Sequence, residues 1–273
     1  MKSTGTVDVN AKGKLSVTTE KQSSKEHYDF SNNHHYHLDK ESEVGSVIEG
    51  KDGVRLIGQE ETTLRQAKVS SEDGKVMVAS KGDVLIEEGR NIEHLDTRNK
   101  QKSKGFLTKE TEERRHHHDY DLAEGSKLQG KNVEILSQTS NVSVKGSDIQ
   151  AKENIHLQGN QVRVTASLDK REVQDSYSFK KSGLDASGKG GVMRIGYQRG
   201  KLNNNGSSYN ESVNGSELVA KNGNLSIYAQ QDVDVDASRL ASGKDMSITG
   251  KNVHLNAMNE QHDSEYHQEQ KST

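Results

Sequence analysis

Gly125-Ser126-Lys127-Leu128, then Val133-Glu134-Ile135, Val142-Ser143-Val144, Ile149, Ile155-His156-Leu157 and Val162-Arg163-Val164: this run decides the fold. An apolar-x-apolar triplet sets two side chains on one face of a short strand and turns the middle residue the other way. The same cadence follows Gly215-Ser216-Glu217-Leu218, with Leu225-Ser226-Ile227, Val233-Asp234-Val235, Met246-Ser247-Ile248 and Val253-His254-Leu255. It also follows Gly45-Ser46-Val47-Ile48, with Val54-Arg55-Leu56, Thr62-Thr63-Leu64, Val76-Met77-Val78 and Val84-Leu85-Ile86. Each block holds two copies of a half-unit of about 20–22 residues, a period that signals a solenoid. Apart from Met77 and Leu85, the middle residues of the triplets are polar, and no i, i+3, i+4 stripe of a helix is sustained. Strands this short cannot build a sandwich, but they can stack coil upon coil, about 4.8 Å apart, as a parallel β-helix with a core of Val, Ile and Leu. Asp73-Gly74, Lys81-Gly82, Glu153-Asn154 and Asn222-Gly223 are the expected corners, where positive φ is cheap.

The composition fits a thin rod better than a compact core. Of 273 residues only 29% are hydrophobic and 4% aromatic, close to what a disordered chain shows. Disorder, the alternative, does not keep a register of this kind. The net charge of −3 gives no general attraction for nucleic acid. No apolar run is long enough to span a membrane as a helix, and no signal peptide opens the sequence. Val7-Asp8-Val9 is already in cadence, so the chain reads as a piece of a longer protein. Pro and Cys are both absent. Pro would remove ladder donors from stacked strands. The lack of Cys suits a protein threaded unfolded through an outer-membrane pore, where disulfides would jam transit; a cytosolic protein with no use for Cys is the plainer alternative.

Coils alternate with polar excursions. Residues 1–19 end a truncated repeat, 20–43 form an excursion, 44–94 two coils, 95–123 an excursion and 124–166 two coils. Residues 167–214 form the longest excursion, 215–258 two coils, and 259–273 an excursion that the chain end cuts off. Each starts directly after the last triplet of a block, so all should leave the same side of the rod. Ser176-Tyr177-Ser178-Phe179 and Val192-Met193-Arg194-Ile195-Gly196-Tyr197 read as two legs of a projecting hairpin, with a mobile loop as the alternative. Gly188-Lys189-Gly190-Gly191 reads as a flexible hairpin tip, because the strand–loop–helix context of a phosphate cradle is missing.

Asp232, Asp234 and Asp236 share the outer face of one strand, as carboxylates do in β-helical enzymes that cleave polysaccharides. Asn141-Val142-Ser143 and Glu61-Thr62-Thr63 build no matching acidic wall, so a solvated face is the simpler reading. The histidines cluster at His34, His35 and His37 and at His116, His117 and His118. On a strand only alternate pairs, His35 with His37 or His116 with His118, could share a metal, with Asp39 and Asp119 as the neighbouring carboxylates. No dedicated metal site is expected; exposed hairpin residues that charge near pH 6 fit better. Arg114 and Arg115 sit beside Glu110, Glu112 and Glu113 and read as a mixed, solvated strand.

Gly215 to Leu218, Asn224 to Ile227, Asp232 to Val235, Ser238 to Met246, and the Lys181-Ser182-Gly183 and Lys104-Gly105 turns carry a resemblance. Together they resemble the haemagglutinin repeats of filamentous haemagglutinin-like exoproteins, which include the effectors of contact-dependent growth inhibition. The resemblance implies a right-handed parallel β-helix with protruding β-hairpin or loop excursions, exported by two-partner secretion and displayed on a Gram-negative cell. It implies adhesion or toxin delivery, a surface receptor or glycan on a neighbouring or host cell, and an outer-membrane secretion pore as partner of the full-length parent. No catalytic residue, metal, cofactor or nucleic-acid partner is expected, and no enzyme. The secretion, pretoxin and toxin parts of such proteins are not recognised here, so this piece should neither direct export nor kill. A β-helical polysaccharide-binding or polysaccharide-cleaving protein is the alternative, and a passive spacer a third reading.

Overall fold

The computed structural model describes residues 1–105, 107–189 and 192–273. Every regular element among them is a β-strand. Three seven-stranded parallel sheets each take one strand from every coil, so the coils stack as a solenoid. The triplets supply the register. One ladder runs Val7, Val54, Val76, Val133, Ile155, Leu225, Met246 along the rod. A second runs Leu15, Thr62, Val84, Val142, Val162, Val233, Val253. Ile48, Val69, Leu128, Ile149, Leu218 and Leu240 form the third. Between the ends these side chains are buried in one continuous core. Thr62 is the polar exception, and its hydroxyl is satisfied internally: it accepts from the Gly58 amide at 2.9 Å and donates to the Ala79 carbonyl at 2.7 Å. Val142, Val162 and Val233 are fully buried, whereas Val253 is 42% and Leu255 66% exposed. The difference is positional: their strand, Asn252–Asn256, is the edge of its sheet, with no further coil to cover it.

The excursions are antiparallel hairpins, and they are not separate branches. Glu20–Ser31 pairs with His34–Val44, Gly89–Lys104 with Thr108–Glu124, and Ser167–Lys189 with Val192–Asn214. Successive hairpins also pair with one another, and Gln261–Ser272 adds the outermost strand, giving a single seven-stranded antiparallel sheet. Matched spacing explains the fusion. Two coils advance the rod by about 9.6 Å, which is the width of a two-stranded hairpin at about 4.8 Å per strand. One hairpin per two coils therefore tiles the side of the rod without a gap. The second hairpin opens at Gly89, so residues 89–94 belong to this sheet and not to the coils: Ile92 pairs with Asp121 and Glu41.

Coils without a hairpin turn the same corner tightly. The turning residues are Gln66 (φ 48°), Gly146 (φ 53°) and Ala237 (φ 44°), which correct the expectation that positive φ falls at the Gly and Asn corners. At Gly74 the need is closeness instead: a Cβ there would overlap the Asp52 carbonyl of the neighbouring coil. The Gly of each repeated Gly-Ser phrase has the same reason. A Cβ on Gly45, Gly125 or Gly215 would overlap the carbonyl oxygen of Gln66, Gly146 or Ala237 respectively. Each hairpin thus returns to the rod directly over the tight corner of the next coil. The Ser that follows bonds along the axis. Amides of Ala67, Ser126, Ser147 and Ser216 donate to the hydroxyls of Ser126, Ser147, Ser216 and Ser238, at 3.0, 3.1, 3.1 and 3.2 Å.

Candidate functional surface

The hairpin sheet lengthens along the rod, from strands of 12 and 11 residues to 16 and 17 and then 23 and 23. At about 3.4 Å per residue the third hairpin has a contour of about 75 Å. Cross-strand charge pairs supply part of the side-chain matching in the hairpin sheet. Lys40 meets Glu93 at 2.8 Å and Lys181 meets Glu110 at 2.9 Å, each directly opposite its partner. Exposed pairs like these contribute little each, and the backbone ladders anchored at the rod hold the sheet. Glu113 is a stronger node. Burial pushes its carboxyl up, but hydrogen bonds from Lys100, Arg115 and Arg98 overcome that and lower it to about 2.

Charged groups also fasten the hairpins to the rod. Glu43 is buried at the root of the first hairpin, where Arg65 of the next coil donates to it at 2.7 and 3.0 Å and Thr19 at 3.0 Å. Those bonds outweigh burial and hold the Glu43 carboxyl below its ordinary value. At the second hairpin Arg90 ties hairpin to hairpin instead, bonding Asp121 at 2.8 Å and the Leu168 carbonyl of the third at 3.0 Å. The buried Glu88 takes Lys145 at 3.0 Å.

One face of the sheet is aromatic. Tyr28 stacks with Phe30 at 6.2 Å, His118 lies flat on Tyr120 at 4.2 Å, and the Arg114 guanidinium sits 5.4 Å from the Tyr177 ring. An open groove crosses this face, lined by Phe30, His34, Arg114, His116, Tyr177 and Tyr266 among others. These residues come from all four excursions, so the groove exists only because the hairpins are joined. Phe30 is 75% and Tyr266 66% exposed, large apolar surfaces left in water.

The opposite face is a checkerboard of imidazole and carboxylate. His37, Asp96 and His117 lie in one cross-strand row, and Asp39, His94 and Asp119 in the next. His35 Nε2 is 3.1 Å from Asp96, His117 Nε2 is 3.1 Å from Asp119, and His94 also bonds Asp119. Burial raises the Asp119 carboxyl, but its two histidine partners lower it further, below the ordinary value.

The alternate pairs expected from the sequence do come together: the rings of His35 and His37 stack at 4.8 Å, and His116 Nε2 is 3.1 Å from His118 Nδ1. The carboxylate at the first pair is Asp96, from another hairpin, a partner invisible to local spacing. Asp39 bonds His27 and Lys25 instead. Arg114 and Arg115 chelate Glu112 and Glu113 on their own strand. Asp232, Asp234 and Asp236 are each hydrogen-bonded by neighbouring coils: Asp232 accepts from Asn252 at 2.7 Å, Asp234 accepts from Arg163 at 3.4 Å and pairs with His254 at 2.8 Å, and Asp236 accepts from Asn256 at 2.8 Å. The expected tip at Gly188 to Gly191 includes Gly190 and Gly191, which lie outside the described residues.

Residues 107–273 match the hemagglutinin repeat family. The chain is 29% identical over 188 residues to the tRNA nuclease CdiA of Escherichia coli strain STEC_O31, covering 64% of this chain and 6% of that protein. It is 32% identical over 152 residues to the toxin CdiA of Yersinia pestis, covering 55% of this chain and 4% of that protein. To the 16S rRNA endonuclease CdiA of Enterobacter cloacae it is 28% identical over 231 residues, covering 83% of this chain and 7% of the relative. The chain therefore spans a small fraction of the length of each. No solved structure matches it.

Proposed function

The chain belongs to the hemagglutinin repeat family, the repeat region of filamentous haemagglutinin-like exoproteins, and from that premise we propose that it is an adhesive, structural segment of a large bacterial surface filament. In this reading the coils wind right-handed, as connections between parallel strands nearly always do, and form a shaft. The shaft holds the hairpin sheet out to one side, and the aromatic face docks a receptor or glycan on the surface of a neighbouring or host cell. The observation that carries the reading is the groove assembled from four successive excursions, with exposed rings at Phe30 and Tyr266, the half-buried Tyr177 ring between them, and the Arg114 guanidinium beside Tyr177. Rings with a polar edge or a cation beside them supply contact area at low entropic cost and stack on the flat faces of sugars or aromatic side chains.

The full-length parent would leave the cell through an outer-membrane pore and serve contact-dependent toxin delivery. The nuclease activities in the relatives' names are not carried over to this segment, whose role is presentation and not catalysis. The aspartates on the rod, each already engaged in a hydrogen bond with a neighbouring coil, favour this reading over polysaccharide cleavage.

The test is cell binding by the parent carrying Phe30→Ala, Tyr177→Ala and Tyr266→Ala together. Surface display is expected to stay intact and target-cell attachment to fall at least tenfold. Attachment equal to wild type at equal display would leave the segment a passive spacer and refute the docking role.

A further inference from the structure

We propose that the histidine face of the hairpin sheet binds divalent transition-metal ions of the zinc class, one held by His35, His37 and Asp96 and a second by His94, His117 and Asp119. In each cluster one nitrogen from each imidazole and one carboxylate oxygen all lie within 4.8 Å of one another. Donors around a tetrahedral zinc at about 2.0–2.2 Å sit about 3.3 Å apart, so small rotamer changes bring three such atoms onto one ion. The measured approaches are already near that value: 3.1 Å from His35 to Asp96 and 3.1 Å from His117 to Asp119. The ring centroids are 4.8 Å apart for His35 and His37 and 4.9 Å for His94 and His117, so the imidazoles face common ground.

The sheet explains why three ligands converge. His35 and His37 are alternate residues of one strand and share a face. Asp96 lies directly opposite His37 on the neighbouring hairpin, and Asp119 directly opposite His94 within the second. Isolated imidazole–carboxylate hydrogen bonds would need only two groups at each place. Here a second imidazole joins each pair, and the two clusters adjoin, because Asp96 and His117 are themselves cross-strand partners. Imidazole-rich sets select zinc, cobalt(II), nickel(II) or copper(II) over calcium and magnesium, which prefer oxygen; the absence of Cys removes the thiolate sites that favour copper(I). Three protein ligands leave one position open to water or to a donor from a partner surface. An ion in the first cluster would tie the first hairpin to the second, while one in the second would brace the second hairpin alone.

The experiment is calorimetric titration of zinc chloride into the untagged chain after chelator treatment and dialysis. Two ions per chain are expected. His35→Ala with His37→Ala should leave one ion, His94→Ala with His117→Ala should leave one, and the quadruple variant none. His254→Ala, at the imidazole–carboxylate pair on the rod, should leave both. A second readout needs no variant: hydrogen exchange of the wild type should slow at residues 34–39 and 94–99 on adding zinc. No heat with the wild type, zinc retained by the quadruple variant, or exchange unchanged by zinc would each overturn the proposal.

Discussion

The serine staircase at the corner of the rod makes a quantitative prediction at Ser126. The Ser126 hydroxyl accepts the Ala67 amide at 3.0 Å and donates to the Glu87 carbonyl at 2.8 Å. Both Ser126 and Ala67 are fully buried. In Ser126→Ala the Glu87 carbonyl keeps the Gln66 amide at 3.0 Å, but the Ala67 amide loses its acceptor where water cannot replace it. An orphaned buried donor costs about 1–3 kcal/mol. At about 1.4 kcal/mol per factor of ten, local opening at that corner becomes about 5 to 140 times more frequent. Native-state hydrogen exchange reads this directly, at the Ala67 amide and its neighbours in the corner. Ser46 is the control, because its exposed hydroxyl makes only a 3.4 Å contact with the Thr18 carbonyl. Ser46→Ala should change stability by under about 0.5 kcal/mol. An Ala67 amide as well protected in Ser126→Ala as in wild type would refute the assignment of the Gly-Ser phrase to axial bonding.

Core truncation should depend on position along the rod. Ile135→Ala, at a fully buried site, should cost about 2–5 kcal/mol in urea unfolding, whereas Leu255→Ala, 66% exposed on the uncovered coil, should cost under about 0.5 kcal/mol. Acid should loosen the hairpin sheet through Glu113. Its carboxyl ionises at about 2 when folded against an ordinary 4.5, so its contribution is complete above pH 4.5 and is lost as pH falls toward 2. That shift sets an upper value of about 3 kcal/mol. Thermal melting of Glu113→Gln should therefore differ from wild type at neutral pH and converge with it in acid.

The rod was legible in the sequence because its physics is local. Val76-Met77-Val78 and Val133-Glu134-Ile135 announce their inward faces, and the Gly-Ser phrases announce the repeat. The hairpin sheet was only half legible. Each excursion alternates as a strand does, but its pairing with the next is set by coil spacing, which no stretch such as Glu110 to Asp119 encodes. For the same reason Asp96 could not be assigned to His35 and His37, nor Tyr266 to Phe30. Gln66 and Ala237 gave no sign of positive φ, since the geometry of a coil lacking a hairpin imposes it on whatever residue is there.

Joining of the hairpins into one sheet supports both the groove and the metal face, and a chain without Cys allows a direct test. Thr111 of the second hairpin lies opposite Lys180 of the third. Opposed antiparallel residues have Cα atoms about 4.5–5.5 Å apart, within disulfide range. Thr111→Cys with Lys180→Cys should cross-link on mild oxidation, and Thr111→Cys with Phe179→Cys, one step out of register and on the opposite face, should not. Free thiols in the first pair, or equal cross-linking in both, would contradict a single continuous sheet.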